Sequence, residues 1–118
     1  MNDKEQAEAA ALERIQQAHQ DLDDVKANVA QLRKDIKDRN DQSKEALKIS
    51  VERGIPAGAP DNAIAVKLQN IELAWQDYCD AQDEAKMLRA QARDALKAAR
   101  SVLADAVKDS KQLTLPGV

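Results

Sequence analysis

Phenylalanine is absent from this chain, and tryptophan and tyrosine occur once each, at Trp75 and Tyr78. Aromatic side chains supply much of the buried area of a globular core. Without them, apolar residues that make up 43% of the sequence, many of them alanine, cannot fill a thick interior and have to lie on narrow stripes. The single Cys79 excludes an intramolecular disulfide, so the fold does not depend on an oxidising compartment. The single His19 is too few for a metal centre or a nucleophile–base pair, both of which need several convergent groups. No apolar run approaches the roughly 18 residues of a membrane span. The opening MNDKEQAEAA is polar and lacks the apolar region of a signal peptide. A net charge of −3 gives no bulk attraction to nucleic acid or anionic membrane. These absences lead to an expectation of one cytoplasmic domain of 118 residues that binds no membrane and no cofactor.

What is abundant points to helix. Ala, Leu, Gln, Lys, Arg, Asp and Glu dominate, and most of them are strong helix formers. Apolar residues from Ala11 recur at alternating steps of four and three through Ile15, Ala18, Leu22, Val25, Val29, Leu32 and Ile36. That is the a/d spacing of a helix seam. The spacing weakens at Arg39 and Ser43 and resumes, shifted, at Leu47 and Val51, which predicts a local irregularity. A second seam is read through Ile64, Leu68, Ile71, Trp75, Tyr78, Gln82, Ala85, Ala92, Leu96, Ala99, Leu103 and Ala106, with Arg89 as its one charge. Between the two lies GIPAGAP, which holds two of the three prolines and two of the three glycines and is not tolerated inside a helix. Gly54 suits the position that ends the first helix, and Asp61 or Asn62 suits the N-cap of the second. The fold class read from these patterns is all-α: an antiparallel two-helix coiled-coil hairpin with a helix over about 5–53, a turn at 54–61, a helix over about 62–110 and a flexible tail at 111–118.

Charge supports the same pairing. If the chain folds back at about residue 57, the acidic block Glu72, Asp77, Asp80, Asp83 and Glu84 faces Arg33, Lys34, Lys37 and Arg39, although Asp35, Asp38 and Asp41 also fall there. Arg89 and Arg93 then face Asp21, Asp23 and Asp24. Leu12, Leu47, Leu73, Met87, Leu88 and Val102 widen the apolar stripes beyond a strict seam. A second buried side is therefore expected, and with it a homodimer forming a four-helix bundle.

No motif for catalysis is present: no glycine-rich phosphate loop, no HExxH and no carboxylate pair gathered in a concave site. The chain is read as a non-enzyme with no catalytic or metal-binding residues. Cys79, beside Tyr78, reads as a small hydrophobe on a helix flank, with disulfide exchange across a dimer as the alternative. Ile71, Trp75 and Tyr78 form the bulkiest apolar cluster, to be assigned either to core packing or to a partner-binding hot spot. Lys86, Arg89, Arg93, Lys97 and Arg100 follow steps of three and four and form a basic stripe. Pairing with the opposing acids is the expectation for that stripe, and phosphate binding is its rival.

Beyond Ser110 the chain ends KQLTLPGV, where Pro116 and Gly117 stop a helix and Leu113 and Leu115 alternate with polar neighbours. The segment Gln112–Leu113–Thr114–Leu115–Pro116 resembles the peptide by which bacterial replication proteins dock on the β sliding clamp, written QL[S/D]LF. It also resembles the hexapeptide form QLSLPL of the ATPase that inactivates the replication initiator. The resemblance implies that Gln112 is the polar anchor and Leu115 the main plug, with Leu113 and Thr114 supporting. It departs at Gly117, where the hexapeptide has leucine; losing that buried side chain costs roughly 1–3 kcal/mol. The expected function is a small helical adaptor or inhibitor of phage-like character. Its partner would be the sliding clamp or another host replication or defence protein. A structural coiled-coil scaffold and a nucleic-acid-associated protein using the basic stripe are the alternatives.

Overall fold

The computed structural model of the protein describes residues 3–114. Helix α1 spans Asp3–Glu52 and helix α2 spans Ala63–Thr114, with no strand among the described residues. The architecture is the all-α, antiparallel two-helix hairpin that apolar period and turn composition predict. Asp3 and Glu5 sit in the first turn of α1, where acidic groups favour the positive end of the helix dipole. Helix α2 runs on past Ser110 through Thr114, so the first four residues of the segment expected to be a flexible tail, 111–114, are helical. Leu115 to Val118 lie outside the described residues.

The turn shows how little glycine the fold requires. The Arg53 N–H donates to the Ile49 carbonyl at 3.0 Å and closes α1 without a left-handed residue. The cap expected of Gly54 is therefore not used. Gly58 instead takes a φ of 78°. With the Ala59 N–H donating to the Pro56 carbonyl at 3.2 Å, Gly58 occupies the third place of a β-turn, where a type II turn needs positive φ. The Ala63 N–H then donates to Pro60, and the Val66 N–H to Asn62 at 3.0 Å. Of the two candidates, Asn62 holds the N-cap position, because its carbonyl accepts the first bond of α2.

The hairpin divides into two compact units. In the unit spanning Leu32–Arg89, the buried residues are Ile36 and Ser43 of α1 and Ala81 and Ala85 of α2. Ala81 is 1% and Ser43 2% exposed. The Ser43 hydroxyl donates to the Asn40 carbonyl at 3.0 Å. The Asn40 Oδ1 is buried without a hydrogen-bond partner. Ile36, Asn40, Ala81, Ala85 and Leu88 border a small cavity of about 180 Å³. In the unit that joins the segments up to Gln31 and from Ala90, the buried residues are Ala11, Ala18, Leu22 and Val29 against Ala92 and Ala106.

The first seam follows its predicted spacing as far as Ile36. The irregularity expected near Arg39 is an extra four-residue step, Leu32–Ile36–Asn40, inside an unbroken helix. The seam then passes through Ser43, Leu47 and Ser50, while Val51 is exposed, so the predicted restart at Val51 is one residue off. On α2 the predicted seam holds at Ala85, Ala92, Leu96, Ala99, Leu103 and Ala106. Toward the turn it is displaced. The half-buried and buried positions there include Lys67, Ile71, Ala74, Tyr78, Ala81, Ala85 and Leu88, with Cys79 and the predicted Gln82 also half-buried, whereas Ile64, Leu68 and Trp75 are exposed and so is Arg89. The reason is steric: alanines let two helices approach closely, and placing Trp75 between them would force the axes apart.

The turn makes a direct prediction. Gly58→Ala places a Cβ on a left-handed residue and lowers stability by about 1–2 kcal/mol. Gly54→Ala, with nothing within 4 Å of the added Cβ and no positive φ, is neutral or stabilising by about 0.4–1 kcal/mol. Urea unfolding followed by helical circular dichroism measures both.

Candidate interaction surface

Eleven large apolar side chains are exposed among the described residues, and eight of them fall between Ile49 and Trp75. All eight belong to the unit that contains the turn. Their positions follow from helix geometry. At 100° per residue, Ile64, Leu68, Ile71, Trp75 and Tyr78 fall within one arc, and the seam toward α1 lies beside that arc at Lys67, Ile71, Ala74, Tyr78 and Ala81. Ile71 and Tyr78 sit where the two overlap and are half-buried. Ile64, Leu68 and Trp75 lie on the outer side and are 62%, 61% and 54% exposed. The apolar arc of α2 is therefore wider than one partner helix covers.

Trp75 and Tyr78 stack, with ring centroids 5.8 Å apart and planes inclined at 25°. Stacking holds the indole against the helix and presents a preordered ring to solvent. The cluster Ile71, Trp75 and Tyr78 is thus split: its tryptophan is on the surface and the other two only half-buried, which corrects the assignment of Trp75 to the seam. Cys79 is half-buried and His19 exposed. On the opposite flank of the seam, Ile49, Arg53, Ile55, Pro56, Val66 and Asn70 line an open hollow of about 530 Å³ under the turn. Its rim carries two cations, Arg53 and Lys67, beside the exposed side chains of Ile49, Ile55 and Val66.

Electrostatics follows the predicted pairing at Arg39. Arg39 grips Asp77 with two hydrogen bonds, Nη1 to Oδ2 at 2.9 Å and Nη2 to Oδ1 at 2.7 Å. Folding about residue 57 puts Gln76 opposite Arg39, one residue from the pair observed. The hydrogen bonds from Arg39 hold the Asp77 carboxyl below its ordinary value, and the same contact raises the guanidinium. A second salt bridge, Arg14–Asp109 at 3.3 Å, lies in the other unit and well away from the predicted register. Gln17–Asp21, Gln20–Asp24 and Gln76–Asp80 are hydrogen bonds one turn apart along single helices.

The basic stripe does not find the acids expected for it. Lys86, Arg89, Arg93, Lys97 and Arg100 are all exposed, and none forms a salt bridge among the described residues. Of the clamp-like segment, Gln112 is an exposed residue of α2, Leu113 and Thr114 belong to its last turn, and Leu115 and Pro116 lie outside the described residues. No described helix is long and apolar enough to cross a membrane.

The Arg39–Asp77 pair sets a pH dependence. A carboxyl whose folded pKa lies below its unfolded value stabilises the fold above the ordinary carboxylate range and loses that contribution as pH falls through the folded value. The raised Arg39 stays charged at every pH of interest. Asp77→Asn therefore flattens the acid-side fall in melting temperature relative to wild type, and the difference shrinks in high salt. Thermal melts between about pH 6 and 2 at two ionic strengths check this. No protein-family model, no curated protein and no solved structure matches this chain.

Proposed function

We propose that the protein is a non-catalytic interaction module whose binding surface is the outer apolar stripe Ile64–Leu68–Ile71–Trp75 of α2. The carrying observation is Trp75: the chain's one tryptophan stands about half exposed, stacked and preordered, in line with two exposed aliphatic side chains. Exposed stripes of this kind mark interaction sites in monomeric proteins, and tryptophan is enriched among residues that dominate binding. The 4–3–4 spacing is that of the side chains one helix offers another. An amphipathic helical partner is therefore the class of ligand it fits.

Leu68→Asp tests this reading. At an exposed site it changes stability by no more than about 0.5 kcal/mol, while every protein that co-purifies with the wild-type chain through this surface is lost from the variant. An unchanged set of co-purifying proteins, its own second copy included, would refute the stripe as the binding surface.

A second reading rests on Gln112–Leu113–Thr114–Leu115–Pro116, whose likeness to the clamp-docking peptide comes with an exposed Gln112 at the end of α2. We propose that this end docks on a bacterial sliding clamp, which the chain would thereby tether or inhibit. Terminal helical turns fray at little cost, so the helical state of Leu113 and Thr114 does not oppose extended docking. Deleting Gln112 to Val118 is expected to abolish binding to purified clamp and to leave helicity unchanged. Equal binding of both forms, or none by either, removes this reading.

A further inference from the structure

We infer that the occupant of the outer stripe is a second copy of this chain, paired antiparallel through the same four residues. The inference rests on the stripe being a binding surface and goes on to name its ligand. Three observations carry it.

The first is self-complementarity. In an antiparallel helix pair, a positions pack against d positions of the partner. Ile64 and Ile71 occupy d, and Leu68 and Trp75 occupy a. Centring the pair between Gln69 and Asn70 stacks Ile64 on the other copy's Trp75 and Leu68 on its Ile71, and the two-fold axis repeats both layers. Each tryptophan then meets a branched aliphatic side chain in the two outer layers, the two central layers pair Leu68 with Ile71, and the same patch is used on both copies, as an isologous interface requires.

The second is charge. The open flank of the stripe is formed by Ala65, Gln69, Glu72, Gln76 and Cys79, which carry a single charge. In the antiparallel register Glu72 lies opposite Ala65, and Lys67, on the other flank, lies opposite Ala74. No like charges confront each other. The acidic residues Asp77, Asp80 and Glu84 point away from the stripe by helix geometry. A flank with so little charge gives a foreign partner little to select, yet it offers no repulsion to a second copy.

The third is extent. Ala63 to Tyr78 is about 24 Å of helix, and a helix pair over that length buries on the order of 1,000 Å² in total, the lower bound for a specific interface. The expected dimer is accordingly of micromolar strength. The register also accounts for the exposure of Ile64, Leu68 and Trp75 in the single chain, since these are the side chains it covers.

The test uses the full chain. Light scattering across a dilution series is expected to show dimer at about 100 µM and monomer at about 0.1 µM, with Trp75 emission moving to the blue as dimer forms. Leu68→Asp weakens association at least tenfold. Leu73→Asp, an equally exposed leucine on the opposite side of α2, leaves it unchanged. Helical circular dichroism confirms that both variants fold. A photo-crosslinking residue at position 64, activated in cells, is expected to give an adduct of twice the chain mass joined near Trp75.

Monomer at every concentration, or equal effects of the two aspartates, overturns the inference. An adduct joined back to position 64 overturns the antiparallel arrangement. An adduct to a different protein overturns the second copy while leaving the stripe as a binding surface, and no adduct of any kind removes both.

Discussion

Close approach of two helices over alanine is the constraint on which the rest of this structure depends. Ala81 and Ala85 share the seam with Ile36 and Ser43 in one unit, and Ala11, Ala18, Ala92 and Ala106 line it in the other. A methyl group contributes little transfer free energy, about 0.8 kcal/mol for each buried carbon, so many contacts must add up along the length. In return the backbones come close enough that a ring as large as that of Trp75 is kept out of the seam. Several bulky residues near the turn are therefore displaced to a flank: Trp75, Leu68 and Ile64 to one side, Val66 and Ile49 to the other. The exposed surface of the molecule is a consequence of its interior.

Much of the fold was legible because its signals are local and periodic. GIPAGAP could only be a turn, and the run from Ala11 to Ile36 allowed one phase of helix. The segment from Ile64 to Tyr78 allowed two. It is apolar over an arc of more than 100°, and ranking its residues by hydrophobicity selects Trp75 and Leu68 for the interior, whereas ranking them by fit selects Ala74 and Ala81. Periodicity reports that a face is apolar; the width of the gap it must enter belongs to the partner helix. The same blindness explains Ser43, a polar residue that the seam accepts because it is small and turns its hydroxyl donor to the backbone.

The candidate surface was legible as a cluster and misread in its placement. Trp75, Tyr78 and Ile71 stood out by bulk, yet only the structure separates the exposed ring from its half-buried neighbours. The basic stripe went the other way. Opposite acids exist in sequence, but pairing depends on register to within a residue, and long cationic side chains on an exposed face gain little from holding one geometry. Arg39 reaches its carboxylate because both sit at the edge of the close-packed seam.

The four-residue step at Leu32–Ile36–Asn40 has a mechanical meaning. A heptad seam uses 3.5 residues per turn and winds its helices around each other to the left. An added four makes a stretch of eleven in three turns, about 3.67, which relaxes that winding. On α2 the spacing Leu88–Ala92–Leu96 repeats the device. Each helix thus carries one place where supercoiling is locally undone, at a length of sequence that neither proline nor glycine interrupts. There each helix keeps close to its unstrained 3.6 residues per turn, whereas a heptad seam requires it to be wound to 3.5.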